Sequence, residues 1–203
     1  QGSDGSGYPL LKSLGHTVTP LAPSLVALKA DAQVTKSLKG VRIHDCVICV
    51  SGDTGEIARS RGEILFTDSG LSGIAAMEAG AAVHRALKDG RVYARLDLAP
   101  AVEEEDLSQY LKDTAQNLPE AVLDNLLTGI LPRVCGIAVC KTAGIYSPDT
   151  KLSVLSARQL AAVAKAVKNF SLAVTGTKGY ENAQVTSGGV NVDEFDSRTL
   201  ASK

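Results

Sequence analysis

The chain has 203 residues, of which 44% are apolar, 21% charged and 4% aromatic, and its formal net charge is −1. A chain of this length forms one large domain or two small ones and buries roughly 70% of its unfolded surface, and the composition excludes a collagenous, disordered or disulfide-dense polypeptide. No run approaches the roughly 18 apolar residues of a bilayer span, no charged-then-apolar leader opens the chain, and the basic excess of a nucleic-acid surface is missing; a soluble, cytoplasmic protein with neither membrane nor nucleic acid as partner is expected.

In chain order, Tyr8–Leu14 reads as a short helix with Pro9 in its first turn and Gly15 at its end. Leu25–Lys29 and Val41–Val50 read as strands, Gly52 and Gly55 punctuate the turn after them, and Gly62–Thr67 reads as a further strand. Leu71–Leu87 is alanine-rich and predicts a helix with Asp68 or Ser69 as its N-cap. Arg91–Leu98 alternates apolar and polar residues, as a half-buried strand does.

The period then changes. Leu107, Tyr110, Leu111, Thr114 and Leu118 follow helical spacing, with acids from Glu103 to Asp106 where a helix dipole favours them. Pro119 is placed to open a second helix burying Val122, Leu123, Leu126 and Leu127, with Gly129 as its stop. Val134, Ile137 and Ala138 mark a third, and the capping box Ser156-Ala-Arg-Gln159 opens a fourth that buries Leu160, Val163 and Val167. Strands resume at Phe170–Thr175, Ala183–Thr186 and Val190–Val192. The expected fold class is α+β: an antiparallel, barrel-like sheet, closed by pairing between distant halves, and interrupted by a small helical bundle. The β part spans 1–99 and 168–203, with 1–16 as a helical linker, and the helical subdomain spans 100–167.

Chemistry-bearing residues are sparse. Cys46 and Cys49 form a C-x-x-C, but within a strand an offset of three points the two thiols to opposite faces, so with Cys135 and Cys140 they read as buried structural thiols and no metal site is expected. His16, His44 and His84 are far apart and lack ligand neighbours, and dinucleotide, P-loop and nucleophile-elbow motifs are missing. Three glycine-rich segments remain: Gly2–Tyr8, Thr67–Gly73, and Thr175–Tyr180 continued by Gln184–Gly189. Turns are the simple reading; the other is a backbone that lets a ligand approach closely. The chain starts at Gln1 and holds one methionine, Met77, which raises the expectation of a processed chain or a piece of a longer one.

Gly62-Glu-Ile-Leu-Phe-Thr-Asp-Ser-Gly-Leu-Ser-Gly73 and the long segment Asn169–Val190 resemble two motifs of a bacterial flavoprotein family, the NAD(P)/FAD-dependent, aminoacetone-oxidase-like oxidoreductases, and Gly2–Tyr8 with Leu14–Pro20 is similar to the segment by which that family leaves its FAD-binding domain. The resemblance implies a Rossmann-like FAD domain in two pieces with an inserted β-barrel that carries a helical bundle, and this chain would be that insert. It would cap the FAD and shape the pocket of a small-molecule substrate, with NADH or NADPH as a further cofactor, its own FAD-binding domain as partner, and no activity when isolated. Thr67, Ser72, Gly73, Thr186, Gly188 and Gly189 would face the cofactor cleft, and a helix starting near Gly70 would offer it N–H groups. Asp68 stands where many members have a histidine, and Ile74 where they have a proline, so no catalytic residue is assigned. The two-linker insertion further requires residues 1–8 and 197–203 to lie close together. Two readings compete with this one: a stand-alone, non-catalytic binding module, and a metal-dependent hydrolase or lyase using Asp4, Asp53 or Asp68.

Overall fold

The computed structural model describes residues 2–203; Gln1, which opens the expected linker, lies outside them. Helix α1 (Gly7–Ser13) carries Pro9 in its first turn, where a missing N–H removes no helical bond, and buries none of its residues. Strands β1 (Ala22–Ser24) and β2 (Leu28–Ala30) follow. Of the strand expected over Leu25–Lys29 only Leu28 and Lys29 are paired, in β2; Leu25, a non-glycine residue with φ +46, follows directly on β1, which joins a different sheet. Helix α2 (Ala32–Ser37) was not foreseen; the Asp31 carboxylate caps it by accepting from the Gln33 N–H.

Strands β3 (Arg42–Gly52) and β4 (Gly55–Thr67) form a long hairpin, so Gly62–Thr67 is only its last part. The alanine-rich segment differs from expectation at its start. Gly70–Ser72 is strand β5, followed by α3 (Ile74–Glu78) and α4 (Gly80–Ala86), and Gly73, not Asp68 or Ser69, holds the N-cap position. The physical reason is long-range pairing: Leu71 lies between Leu28 and Phe66 in the ladder, and two flanking strands override a local helix propensity.

Strand β6 (Val92–Asp97) leads into the helical block of α5 (Glu104–Asn117), α6 (Arg133–Thr142) and α7 (Ala157–Lys168). The helix expected from Pro119 is a single 3-10 turn, Leu123–Asn125, because the Leu123 and Asp124 amides bond the Thr150 and Pro148 carbonyls; Leu123, Leu126 and Leu127 are nonetheless buried. Helix α6 buries Cys135, Val139 and Cys140 and leaves Val134 exposed, a face rotated by one residue from the one anticipated. Helix α7 carries the predicted Ser156–Gln159 capping box and buries Leu160, Val163 and Val167. The chain returns through β7 (Phe170–Thr177) and β8 (Val185–Ser187), while Val190 makes one bridge to Val18 instead of starting a strand.

Six antiparallel strands close a barrel in the order β2-β5-β4-β3-β6-β7, and β1 pairs with β8 in a separate two-stranded sheet. The helical block is bracketed by β6 and β7, which pair from Val92 with Val174 to Leu96 with Phe170. The fold is α+β, and distant halves close the sheet. Cys46, Ile48, Val50, Ile64, Phe66, Leu96 and Phe170 fill the core, with Phe66 and Phe170 meeting edge to face at 6.3 Å. Leu107, Leu111, Val139 and Val163 continue that core into the helices. Lys168 fixes the junction: its ammonium lies 2.8 Å from the Asp97 carboxylate and donates to the Ala99 and Val102 carbonyls.

All four cysteines are free and buried. Cys46 points into the barrel, where burial pushes its thiol up to about 12, whereas the Cys49 thiol lies against the Glu56 carboxylate at 3.0 Å. Among the described residues no helix is long and apolar enough to cross a membrane.

The incoming and outgoing ends of the chain are clasped together. His16 places Nδ1 2.7 Å from Glu194, Nε2 3.1 Å from the Ser202 hydroxyl, and its ring flat on Phe195 at 4.9 Å. The Thr17 amide and hydroxyl donate to the same Glu194 carboxylate. Among the described residues the contact is thus made by residues 16–19 with 189–202.

Candidate functional site

A cleft of about 1200 Å³ opens between the start of the chain and the β1–β8 sheet. One wall is Gly2–Tyr8 with Pro9 and Lys12; the other is Leu21 of the segment entering β1, Thr186 of β8, and Tyr180 and Glu181 of a 3-10 turn. The first glycine-rich segment folds into this wall by local bonds. Gly5, with φ +78, turns the chain so that the Tyr8 N–H reaches the Gly5 carbonyl, and the Asp4 carboxylate accepts the Ser6 N–H, which holds Asp4 below the usual aspartate value. Behind the far wall, His84 packs its ring edge to Tyr180, and Arg85 donates to the Ser187 hydroxyl at 2.7 Å.

The second segment meets the third elsewhere, two residues before Tyr180. There the Lys178 ammonium donates to the Ser69 hydroxyl at 2.5 Å. Asp68 lies 3.5 Å from Lys39, whose charge is the main reason its carboxyl is held below the usual range, and Lys178 adds to the effect. Lys178 lies within the third glycine-rich segment, and only its contact across 109 residues singles it out.

The six residues expected at a cofactor cleft divide into two sets. Thr67 donates its hydroxyl to the Gly70 carbonyl at 3.1 Å, and the Ser72 hydroxyl lies 3.7 Å from the Met77 sulfur. Gly73 has φ +90, and a Cβ there would overlap the Glu63 carbonyl oxygen and lie 2.9 Å from its carbon. Gly188 has φ +88, and a Cβ there would overlap the Pro20 carbonyl oxygen. At both positions glycine is required by the chain's own backbone, which occupies the space a ligand would need. Gly189 differs: its amide is held by the Thr19 hydroxyl at 3.0 Å, but the space beside its Cα is open. Thr186 alone of the six lines the cleft.

The helix expected to start near Gly70 starts at Ile74 instead, because Gly70–Ser72 lies in the β-ladder, and α3 is only five residues long. Asp4, Asp53 and Asp68 have separate neighbours: the Ser6 amide, Gly90 and Lys39. Among the described residues no three His, Cys, Asp or Glu side chains gather as a metal would require. The cleft residues Tyr8, Lys12, Leu21 and Tyr180 were not named as site residues from sequence; the tyrosines at the ends of two glycine-rich segments were the available signal.

Residues 22–185 match the family model described as HI0933-like protein barrel and H2TH domain. The chain is 32% identical over 203 residues to the 3-dehydro-bile acid delta(4,6)-reductase of Clostridium scindens, an alignment covering 100% of this chain and 49% of that protein. It is 26% identical over 202 residues to the ribosomal RNA dihydrouridine synthase of Escherichia coli, covering 100% of this chain and 48% of that one, and 25% identical over 206 residues to the corresponding Haemophilus influenzae protein, covering 99% and 47%. The chain therefore spans about half the length of the curated relatives it matches.

Proposed function

Because the chain belongs to the HI0933-like family, whose barrel and H2TH domain is associated with flavoproteins, we propose that it is the insert domain of a flavin-dependent oxidoreductase, where it covers a flavin held by another part of the parent chain and forms one wall of the substrate pocket. The observation that carries this reading is the cleft, where the first glycine-rich segment and the end of the third face each other across about 1200 Å³. Pockets of this kind are walled by aromatic and apolar groups with a few polar atoms, and Tyr8, Leu21 and Tyr180 with Lys12 and Thr186 have that character.

The residues present fit a cover better than a complete flavin cradle. Gly73 and Gly188 are closed off by carbonyls of their own chain, so of the six expected residues it is Thr186 that lines the cleft. FAD is the flavin that the motif resemblance favours, and NADH or NADPH its reductant. When bound, a flavin supplies hydride transfer, which no side chain does. This chain's part is to exclude water from the cleft, orient the substrate between Tyr8 and Tyr180, and attract its anionic groups with Lys12.

The substrate is a small molecule rather than RNA. A groove that follows phosphates needs a basic excess, whereas this chain has 21 Lys and Arg against 22 Asp and Glu, and its helical block opens on Glu103, Glu104, Glu105 and Asp106. The reductase relative, whose name specifies a bile acid derivative, accords with this more closely than the ribosomal RNA enzymes do.

The test is to purify the full-length parent and this 203-residue chain side by side. The parent is expected to be yellow and to bleach when NADH or NADPH is added without oxygen, and the 203-residue chain to be colourless. A colourless parent, or an isolated chain carrying flavin at the same occupancy, overturns the reading.

A further inference from the structure

Lys29 is the outward-facing residue of β2, exposed between the buried Leu28 and Ala30. Its partners in the ladder are Gly70 on one side and Gly176 on the other, so neither flanking position carries a side chain to cover it. The two glycines have different reasons. A Cβ at Gly70 would overlap the Leu28 carbonyl oxygen, so the backbone itself requires a glycine there. At Gly176 a Cβ would meet nothing nearer than the Lys29 Cδ at 3.5 Å, an ordinary contact. What this second glycine leaves free is the space beside the lysine stem.

Strand β7 is irregular at the same place. Gly176 pairs with Lys29 and Val174 with Ala30, which leaves Thr175 without a position of its own opposite β2. Such bulges gather at barrel rims and beside binding sites, where the extra residue re-aims its neighbours. Just beyond it the Lys178 ammonium donates to the Ser69 hydroxyl at 2.5 Å. Lys178 follows the β7 partners of β2 and Ser69 precedes Gly70, so this bond spans β2 from one flank to the other. Leu28, Ala30 and Val174 fill the inside of the barrel, and the span therefore runs over the outer face, where Lys29 stands. The Lys178 amide bonds the Ala27 carbonyl, which makes Lys29 its diagonal neighbour at about 7–8 Å, within reach of two long side chains. Of the nearby acids, Asp68 is engaged by Lys39 and Asp31 caps α2; among the described residues neither Lys29 nor Lys178 is bonded to a carboxylate.

We propose that Lys29, Lys178 and the Ser69 hydroxyl form a binding site for one phosphoryl group on the outer face of the barrel. Lysine binds phosphate as a point charge, and the three rotatable donors of each ammonium can follow a tetrahedral oxyanion. Two ammoniums also match the charge of a phosphate monoester, about −1.5 to −2 at pH 7. The Ser69 hydroxyl accepts from Lys178, and its own hydrogen, 3.4 Å from Asp68 by its oxygen, is placed to turn to the ligand. Lys178 stands two residues from Tyr180 of the cleft, about 7 Å of chain, so a phosphorylated molecule held here borders the cleft. The site rests on this chain's own residues and not on the flavin reading.

Reductive methylation of lysines in the full-length parent, read residue by residue by mass spectrometry, tests it. Titrated to about 10 mM, an order of magnitude above a millimolar Kd, pyrophosphate is expected to slow modification of Lys29 and Lys178 about tenfold and to leave the exposed Lys165 of α7 unchanged. Lys29→Ala should abolish the protection of Lys178. Gly176→Val should weaken it without lowering the unfolding midpoint, because a β-branched residue suits a strand and the added methyls fill the space beside Lys29. Inorganic phosphate and the phosphates of a nucleotide share this chemistry. Protection by NADH or NADPH at lower concentration than pyrophosphate assigns the group to a nucleotide, and protection by pyrophosphate alone assigns it to a free phosphate; either result sustains the site. Equal rates with and without pyrophosphate overturn the proposal, as does slowing that sodium chloride of the same ionic strength reproduces. Protection of Lys178 that survives Lys29→Ala also overturns it, because Lys178 then does no more than tie β7 to Ser69.

Discussion

Replacing Gly73 with alanine separates two reasons for a glycine. A φ of +90 with ψ 160 lies in a region almost confined to glycine and costs an alanine about 1–3 kcal/mol. The added methyl also overlaps the Glu63 carbonyl, whose carbon would be only 2.9 Å away, where carbon–carbon contacts run to about 3.5–4.0 Å. Relieving that overlap means moving β4 away from the start of α3, an overpacking strain of about 1–3 kcal/mol. The sum is about 2–6 kcal/mol, or a fall in Tm of roughly 4–24 °C for a chain of this size. Gly129→Ala is the control: its φ is +88, but nothing lies within 4 Å of the new methyl, so only the torsional cost of about 1–2 kcal/mol applies. The entropy lost by the unfolded chain is the same in both and cancels. Urea and thermal unfolding followed by circular dichroism should place Gly73→Ala about 1–3 kcal/mol below Gly129→Ala. Equal losses refute the close approach. A Gly73→Ala protein of unchanged stability whose parent loses its flavin would show instead that this glycine makes room for the cofactor.

Lys168→Ala should lower stability by about 2 kcal/mol in urea unfolding, less than a fully buried pair because the Lys168 and Asp97 side chains are 13% and 23% exposed; a loss under about 0.5 kcal/mol would mean that the junction between helices and barrel is held by packing alone. The clasp should respond to acid. Hydrogen bonds from the Thr17 hydroxyl, and then from His16, hold the Glu194 carboxyl below its ordinary value of 4.5, so its contribution is complete above that value and is lost as pH falls through the lower folded value. Exchange protection at residues 16–19 is expected to be level near pH 5 and to drop below roughly pH 4.5, and Glu194→Gln should remove the drop; a wild-type profile that stays level down to about pH 3 contradicts the assignment.

Much of the fold was legible because its signals are local. The alternation in Arg91–Leu98, the 3.6-residue period beginning at Leu107 and the Ser156–Gln159 box each correspond to an observed element: β6, α5 and α7. Errors arose where a distant partner overrode a local preference. Gly70–Ser72 became a strand because two neighbours claimed it, Leu123–Asn125 stayed a single turn because the 148–150 segment took its amides, and the turn at Leu25 confines the strand expected over Leu25–Lys29 to its last two residues. For the candidate site, the sequence marked the glycine-rich segments as unusual but not what each glycine makes room for.

Local order along the chain was enough to establish an α+β polypeptide whose helical block interrupts a sheet, because helix caps, periodicity and alternation are encoded within a few residues. Which segments meet was decided only in three dimensions. Gly188 rests against Pro20, Lys178 reaches Ser69 and His16 clasps Ser202, at separations of more than 100 residues. Such contacts depend on barrel closure and strand register, which are properties of the whole chain, and they determine whether a glycine accommodates a ligand or its own backbone.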